Sequence, residues 1–66
     1  MKVEVNGSER EVEAGTSVLA LVRELGLVPE HVAVERNRRL VRREQFGSTA
    51  LETGDRIEVV TLVGGG

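Results

Sequence analysis

Arg56-Ile57-Glu58-Val59-Val60-Thr61-Leu62-Val63 begins as a strict alternation of charged and apolar residues, then turns apolar on both sides. Alternation marks a strand with one buried face, and apolar residues on both faces suit a strand in the middle of a sheet. The stretch therefore predicts a strand in the middle of a sheet, with a neighbour on each side. Gly64-Gly65-Gly66 follows directly. Glycine tolerates nearly all backbone conformations and is the most costly residue to order. Residues 1–63 are accordingly expected to form one folded domain and residues 64–66 a flexible tail.

The neighbours come from the rest of the chain. Lys2-Val3-Glu4-Val5-Asn6 alternates strictly and places Val3 and Val5 on one face. Asn6-Gly7 is the strongest short hairpin signal, because both central residues of a type I′ turn need positive φ. The returning Glu9-Arg10-Glu11-Val12-Glu13 is charged, as suits an exposed edge strand guarded against pairing with other chains. Ala14-Gly15 breaks it, and Thr16 or Ser17 can cap a helix. Val18, Leu21, Val22 and Leu25 then fall at i, i+3, i+4 and i+7, a single apolar stripe. Gly26 is placed to end that helix, and Pro29 opposes its continuation.

A second hairpin follows. His31-Val32-Ala33-Val34-Glu35 buries Val32 and Val34, and Arg39-Leu40-Val41 returns after a turn at Asn37-Arg38. Glu44-Gln45-Phe46-Gly47 reads as a short helical turn anchored by Phe46, the only aromatic residue, and Leu51 as a plug for the core. Thr53-Gly54-Asp55 turns the chain into the final strand. The order β-β-α-β-β-β fits an α+β domain, a mixed sheet of four to five strands with one helix packed across one face. With the final strand central and beside the first, this is the β-grasp, or ubiquitin-like, arrangement.

Composition narrows the function classes. The 66 residues allow one small core, and the absence of cysteine removes disulfides and thiolate metal sites. A single histidine leaves no ligand cluster, so no metal is expected. The formal net charge of −2 argues against a strongly basic nucleic-acid binder. Arg36, Arg38, Arg39, Arg42 and Arg43 form a local basic run, read first as a solvated hairpin and second as a dock for an acidic partner. No aromatics interleave them for base stacking. No apolar run reaches the ~18 residues of a membrane span, and Met1-Lys2-Val3-Glu4-Val5 lacks a signal-peptide pattern, so a cytoplasmic location is expected. His31 reads as a surface residue, Glu9, Glu11 and Glu13 as a solvated edge, and Thr16 and Ser17 as caps without any base to activate them.

What remains is the tail. Three glycines make a thin stem without side chains, which at about 3.3–3.6 Å per residue reaches roughly 10 Å. It carries one functional group, the Gly66 carboxylate, in a form suited to a narrow active site on another protein. The alternative from the residues alone is a frayed terminus.

Val3-Glu4-Val5-Asn6-Gly7, Gly15-Thr16-Ser17-Val18, Leu25-Gly26-Leu27, Val32-Ala33-Val34-Glu35, Arg43-Glu44-Gln45-Phe46, Thr53-Gly54-Asp55-Arg56-Ile57-Glu58 and the ending Val60 to Gly66 together resemble the bacterial sulfur carrier proteins of thiamin biosynthesis. The resemblance covers the whole chain. It departs at Asn37-Arg38, where that family often has Asn-Gly. An arginine at positive φ costs roughly 1 kcal/mol or more, which argues for a turn of another type.

The resemblance implies that the chain is a protein co-substrate, not an enzyme, and binds no cofactor of its own. An adenylating enzyme would consume ATP to convert the Gly66 carboxylate to an acyl-adenylate. A sulfur donor of the cysteine desulfurase or rhodanese type would displace AMP, leaving a C-terminal thiocarboxylate, and a thiazole synthase would take the sulfur. Leu62, Val63, Gly64 and Gly65 would contact these partners. Related carriers for tRNA thiolation or molybdopterin synthesis share the tail chemistry. A non-covalent β-grasp binding module is the alternative of another class.

Overall fold

The computed structural model describes residues 1–62. Five strands form a single sheet: β1 (Lys2–Val5), β2 (Ser8–Glu11), β3 (Val32–Arg36), β4 (Arg39–Val41) and β5 (Arg56–Thr61), in the spatial order β2-β1-β5-β3-β4. The last strand in sequence is the central one in space. It runs parallel to β1, with Val5 level with Ile57, and antiparallel to β3, with Val34 opposite Val59. The expected mixed β-grasp sheet is present at its upper strand count.

The helix α1 (Val18–Glu24) crosses one face of this sheet. Ser17 is its cap: the hydroxyl accepts the Ala20 N–H at 3.0 Å, relieving one of the donors that a helix start leaves free. Val18, Leu21 and Val22 are fully buried against Val3 and Val5 of β1, Val32 and Val34 of β3, and Ile57 and Val59 of β5. Gly26, at φ +77°, ends the helix as its position predicts.

Two short 3-10 turns complete the frame. Pro29–His31 precedes β3, so His31 closes a turn instead of opening the strand, and Pro29 stands at a turn start, where its missing N–H costs nothing. Arg43–Gln45 delivers Phe46 into the core, where Leu51 also packs.

Both hairpins use two-residue turns with positive φ. Asn6 and Gly7 stand at +50° and +85°, and Asn37 and Arg38 at +52° and +69°. The second value corrects the expectation that arginine would force another turn type. Asn37 holds the turn in place of a glycine. Its side-chain amide donates to Asp55 Oδ1 at 3.0 Å, its carbonyl oxygen accepts the Arg56 N–H at 2.9 Å, and its own N–H donates to the Arg56 carbonyl at 2.7 Å.

Candidate functional site

β5 is held on both sides almost to its end. Beyond Val5, strand β1 turns away, and the Asn6 side chain takes over its place in the ladder. The Val59 N–H donates to Asn6 Oδ1 at 2.8 Å, and Asn6 Nδ2 donates to the Val59 carbonyl at 3.2 Å. On the other side the Leu62 N–H donates to the His31 carbonyl at 2.7 Å. The strand thus stays in register up to Leu62, the last described residue. Of the residues expected to meet partners, Leu62 is placed at this exit. Val63, Gly64, Gly65 and Gly66 lie outside the described residues.

The face of the sheet opposite α1 is open, and with it that face of β5. Its central position follows from pairing with two strands, and its second apolar face meets solvent: Val60 is 57% and Leu62 49% exposed. Leu40, on the edge strand β4, is 69% exposed. Ala33, Leu40 and Val60 line one shallow groove on this face, and Leu40 and Leu62 line a second beside Ala33 and Phe46. These exposed apolar side chains gather next to the chain exit and make this face the candidate surface for another protein. The sequence alone does not distinguish Leu40, because nothing in Arg39-Leu40-Val41 says which of its two faces the helix covers.

A larger hollow lies at the far end of the sheet, lined by Met1, Glu11, Val12, Glu13, Thr16 and Glu24. The Met1 ammonium donates there to Glu11 and to the Val12 carbonyl, each at 2.6 Å, and holds the Glu11 carboxyl below the usual carboxylate range. That hollow is remote from the exit of β5 and has no nucleophile paired to a base. Among the described residues no group of three or more potential ligands gathers to hold a metal ion.

The arginine run divides. Arg36 donates through Nε to Asp55 at 2.7 Å and through Nη2 to Glu52 at 2.8 Å. Arg43 donates to the Pro29 and Glu30 carbonyls at 3.1 and 3.3 Å, tying the two 3-10 turns together. Arg38, Arg39 and Arg42 are exposed. Asp55 is the buried hub. Burial opposes its charge, but hydrogen bonds from Arg36, Asn37 and the Glu52 N–H, with the Arg36 charge, more than offset it and hold the carboxyl below its ordinary value. The site these residues make is architectural: they lock the β3–β4 turn to the start of β5.

Comparison with known proteins places this architecture. The model of the ThiS family matches residues 3–66. A thiamine biosynthesis protein (ThiS) from Geobacter metallireducens has a crystal structure that superposes with a TM-score of 0.84 at 33% identity, each chain covered completely. Its solution structure gives 0.80, with 88% of that chain covered. Thiazole synthases of Magnetococcus marinus and Paramagnetospirillum magneticum are 47% and 42% identical over 66 residues, and the chain spans 20% of the length of each. An uncharacterized protein, ycf40, of Pyropia yezoensis is 36% identical and is covered over 93% of its length. Family model, sheet order and solved relatives agree: this β-grasp chain belongs to the ThiS family.

Proposed function

We propose that the chain is a sulfur carrier of thiamine biosynthesis, acting as a co-substrate and not as a catalyst. The observation that carries this is that the family match extends through the glycines to Gly66. The fold supports it, because β5 leads the chain out beside an open apolar face. Likeness to thiazole synthases that contain a matching segment supports a thiazole-forming enzyme as the acceptor.

A carboxylate resists nucleophiles because of its charge and resonance, so Gly66 must first be activated. An adenylating enzyme lets the carboxylate oxygen attack the α-phosphorus of ATP, and pyrophosphate leaves. The terminal sulfur of the donor's persulfide then attacks the acyl carbon of the mixed anhydride, and AMP leaves with the bonding pair. A thiol attacks the donor's own sulfur in the resulting acyl disulfide, forming a disulfide and releasing the acyl-bound sulfur. The product is a thiocarboxylate on Gly66, which thiazole synthase consumes. Gly64 and Gly65 permit an extended approach through a narrow channel, where a Cβ would obstruct. Val63 and Leu62 contact the channel mouth.

Intact-mass spectrometry tests this on the untagged chain with ATP, its adenylating enzyme and a sulfur source. The expected result is a mass change of one oxygen replaced by one sulfur, mapped to Gly66. Gly65→Val and deletion of Gly66 should abolish it while leaving the thermal melt unchanged. No adenylate from an enzyme proven active on another carrier would refute the proposal.

A further inference from the structure

Glu35 of β3 and Glu58 of β5 stand directly opposite each other. The flanking bonds, Leu62 N–H to His31 and Asn37 N–H to Arg56, show which pairs of this ladder exchange hydrogen bonds. Glu35 and Glu58 are one of them, with backbones about 5.5 Å apart and side chains on the same face. Both are exposed, and among the described residues neither has a cation within the 4.0 Å that defines an ion pair. Like charges directly opposite destabilise a sheet. A second facing pair, Glu4 and Glu9, differs because Arg56 lies 4.0 Å from Glu4.

The uncompensated pair is set among apolar side chains. Ala33 precedes Glu35 by two residues, Val60 follows Glu58 by two, and Leu40 lies opposite Glu35. All five line one groove. A surface meant only for solvent would be more stable with a cation at position 35 or 58. Two carboxylates facing each other across a strand pair instead match a guanidinium, whose planar fork can donate to both. The groove beside them matches an aliphatic or aromatic side chain. Val60 and Leu62 alternate along the strand toward the tail, so whatever occupies the groove also stands at the tail's exit.

We propose that Glu35 and Glu58 form a receptor for a cationic side chain, an arginine in preference to a lysine, on the protein that receives the tail. Ala33, Leu40 and Val60 seat an apolar side chain next to it. This rests on the carrier function proposed above and adds the chemistry of the partner's surface: basic, with an apolar anchor alongside.

The test is steady-state adenylation of the full chain by its adenylating enzyme, with the carrier as varied substrate, alongside thermal melts. The variants are Glu35→Gln/Glu58→Gln and Glu35→Arg/Glu58→Arg. The Gln pair should melt at or above the wild-type temperature, because the repulsion is gone, yet raise KM about fivefold and flatten its salt dependence. The Arg pair should raise KM by about tenfold or more with kcat within about twofold, as expected for lost uniform binding. Folded variants with KM unchanged would overturn the proposal. So would sedimentation showing that the Gln pair abolishes wild-type self-association with KM unchanged, since the groove's occupant would then be a second copy. Failure of the wild type itself to be adenylated would instead refute the carrier function.

Discussion

Arg38 occupies a backbone conformation that L residues avoid, at φ +69°. Its side chain is exposed, so nothing in its own contacts repays the strain. The turn survives because Asn37 carries it with three hydrogen bonds to Asp55 and Arg56. Replacing Arg38 by glycine removes the strain but loosens the unfolded chain, so the net expected gain is about 0.5–1 kcal/mol. A thermal melt that fails to rise would show that the turn is unstrained. Asn37→Ala, by contrast, should lower stability by about 2 kcal/mol, because it leaves Asp55 and the Arg56 N–H short of partners.

Asp55 makes acid stability legible at a single residue. Its pKa is depressed in the folded state, so its contribution is complete above the ordinary aspartate value of about 3.9 and is lost as pH falls through the lower folded value. Glu11, lowered by the Met1 ammonium, has the same sign but is exposed and counts for little. Asp55→Asn should therefore flatten the loss of stability below about pH 4, as followed by urea midpoints. An unchanged acid limb would show that other carboxylates control it. The Arg36–Asp55 pair was invisible in the sequence, where the two lie far apart and Asp55 looks like any turn residue.

At the level of elements, periodicity carried most of what could be read. The i, i+3, i+4 stripe of α1, the alternation of β1 and the Asn6-Gly7 turn are local signals, and each element stands where those signals put it. The central place of β5 is legible in its apolar run, but the run does not say which of its apolar residues stay exposed. Apolar residues on both faces arise either from two buried faces or from one buried face and one kept for a partner, and a single sequence does not separate these. Val60→Ser tests the distinction directly. Because Val60 is exposed, stability should change by no more than about 0.5 kcal/mol, while adenylation should weaken. A loss of 2 kcal/mol or more would return Val60 to the core.

Across the whole molecule, the sheet order was readable because a terminal strand rich in apolar residues needs two neighbours, and only β1 and the β3–β4 hairpin could supply them. The facing carboxylates were not, since Glu35 and Glu58 become neighbours only once the register is known. The central place of β5 has a further consequence, which concerns synthesis. While the chain is being made, β1 with β2 and β3 with β4 are two separate hairpins on either side of an unfilled gap, and an isolated hairpin is marginal at best in water. The core closes only when Ile57 and Val59 arrive. Ribosome-stalled chains ending before Arg56 should accordingly be digested by protease as fast as an unfolded peptide, and chains with residues 1–62 fully emerged should resist. A chain released before Arg56 is then expected to go to proteases as an unfolded peptide.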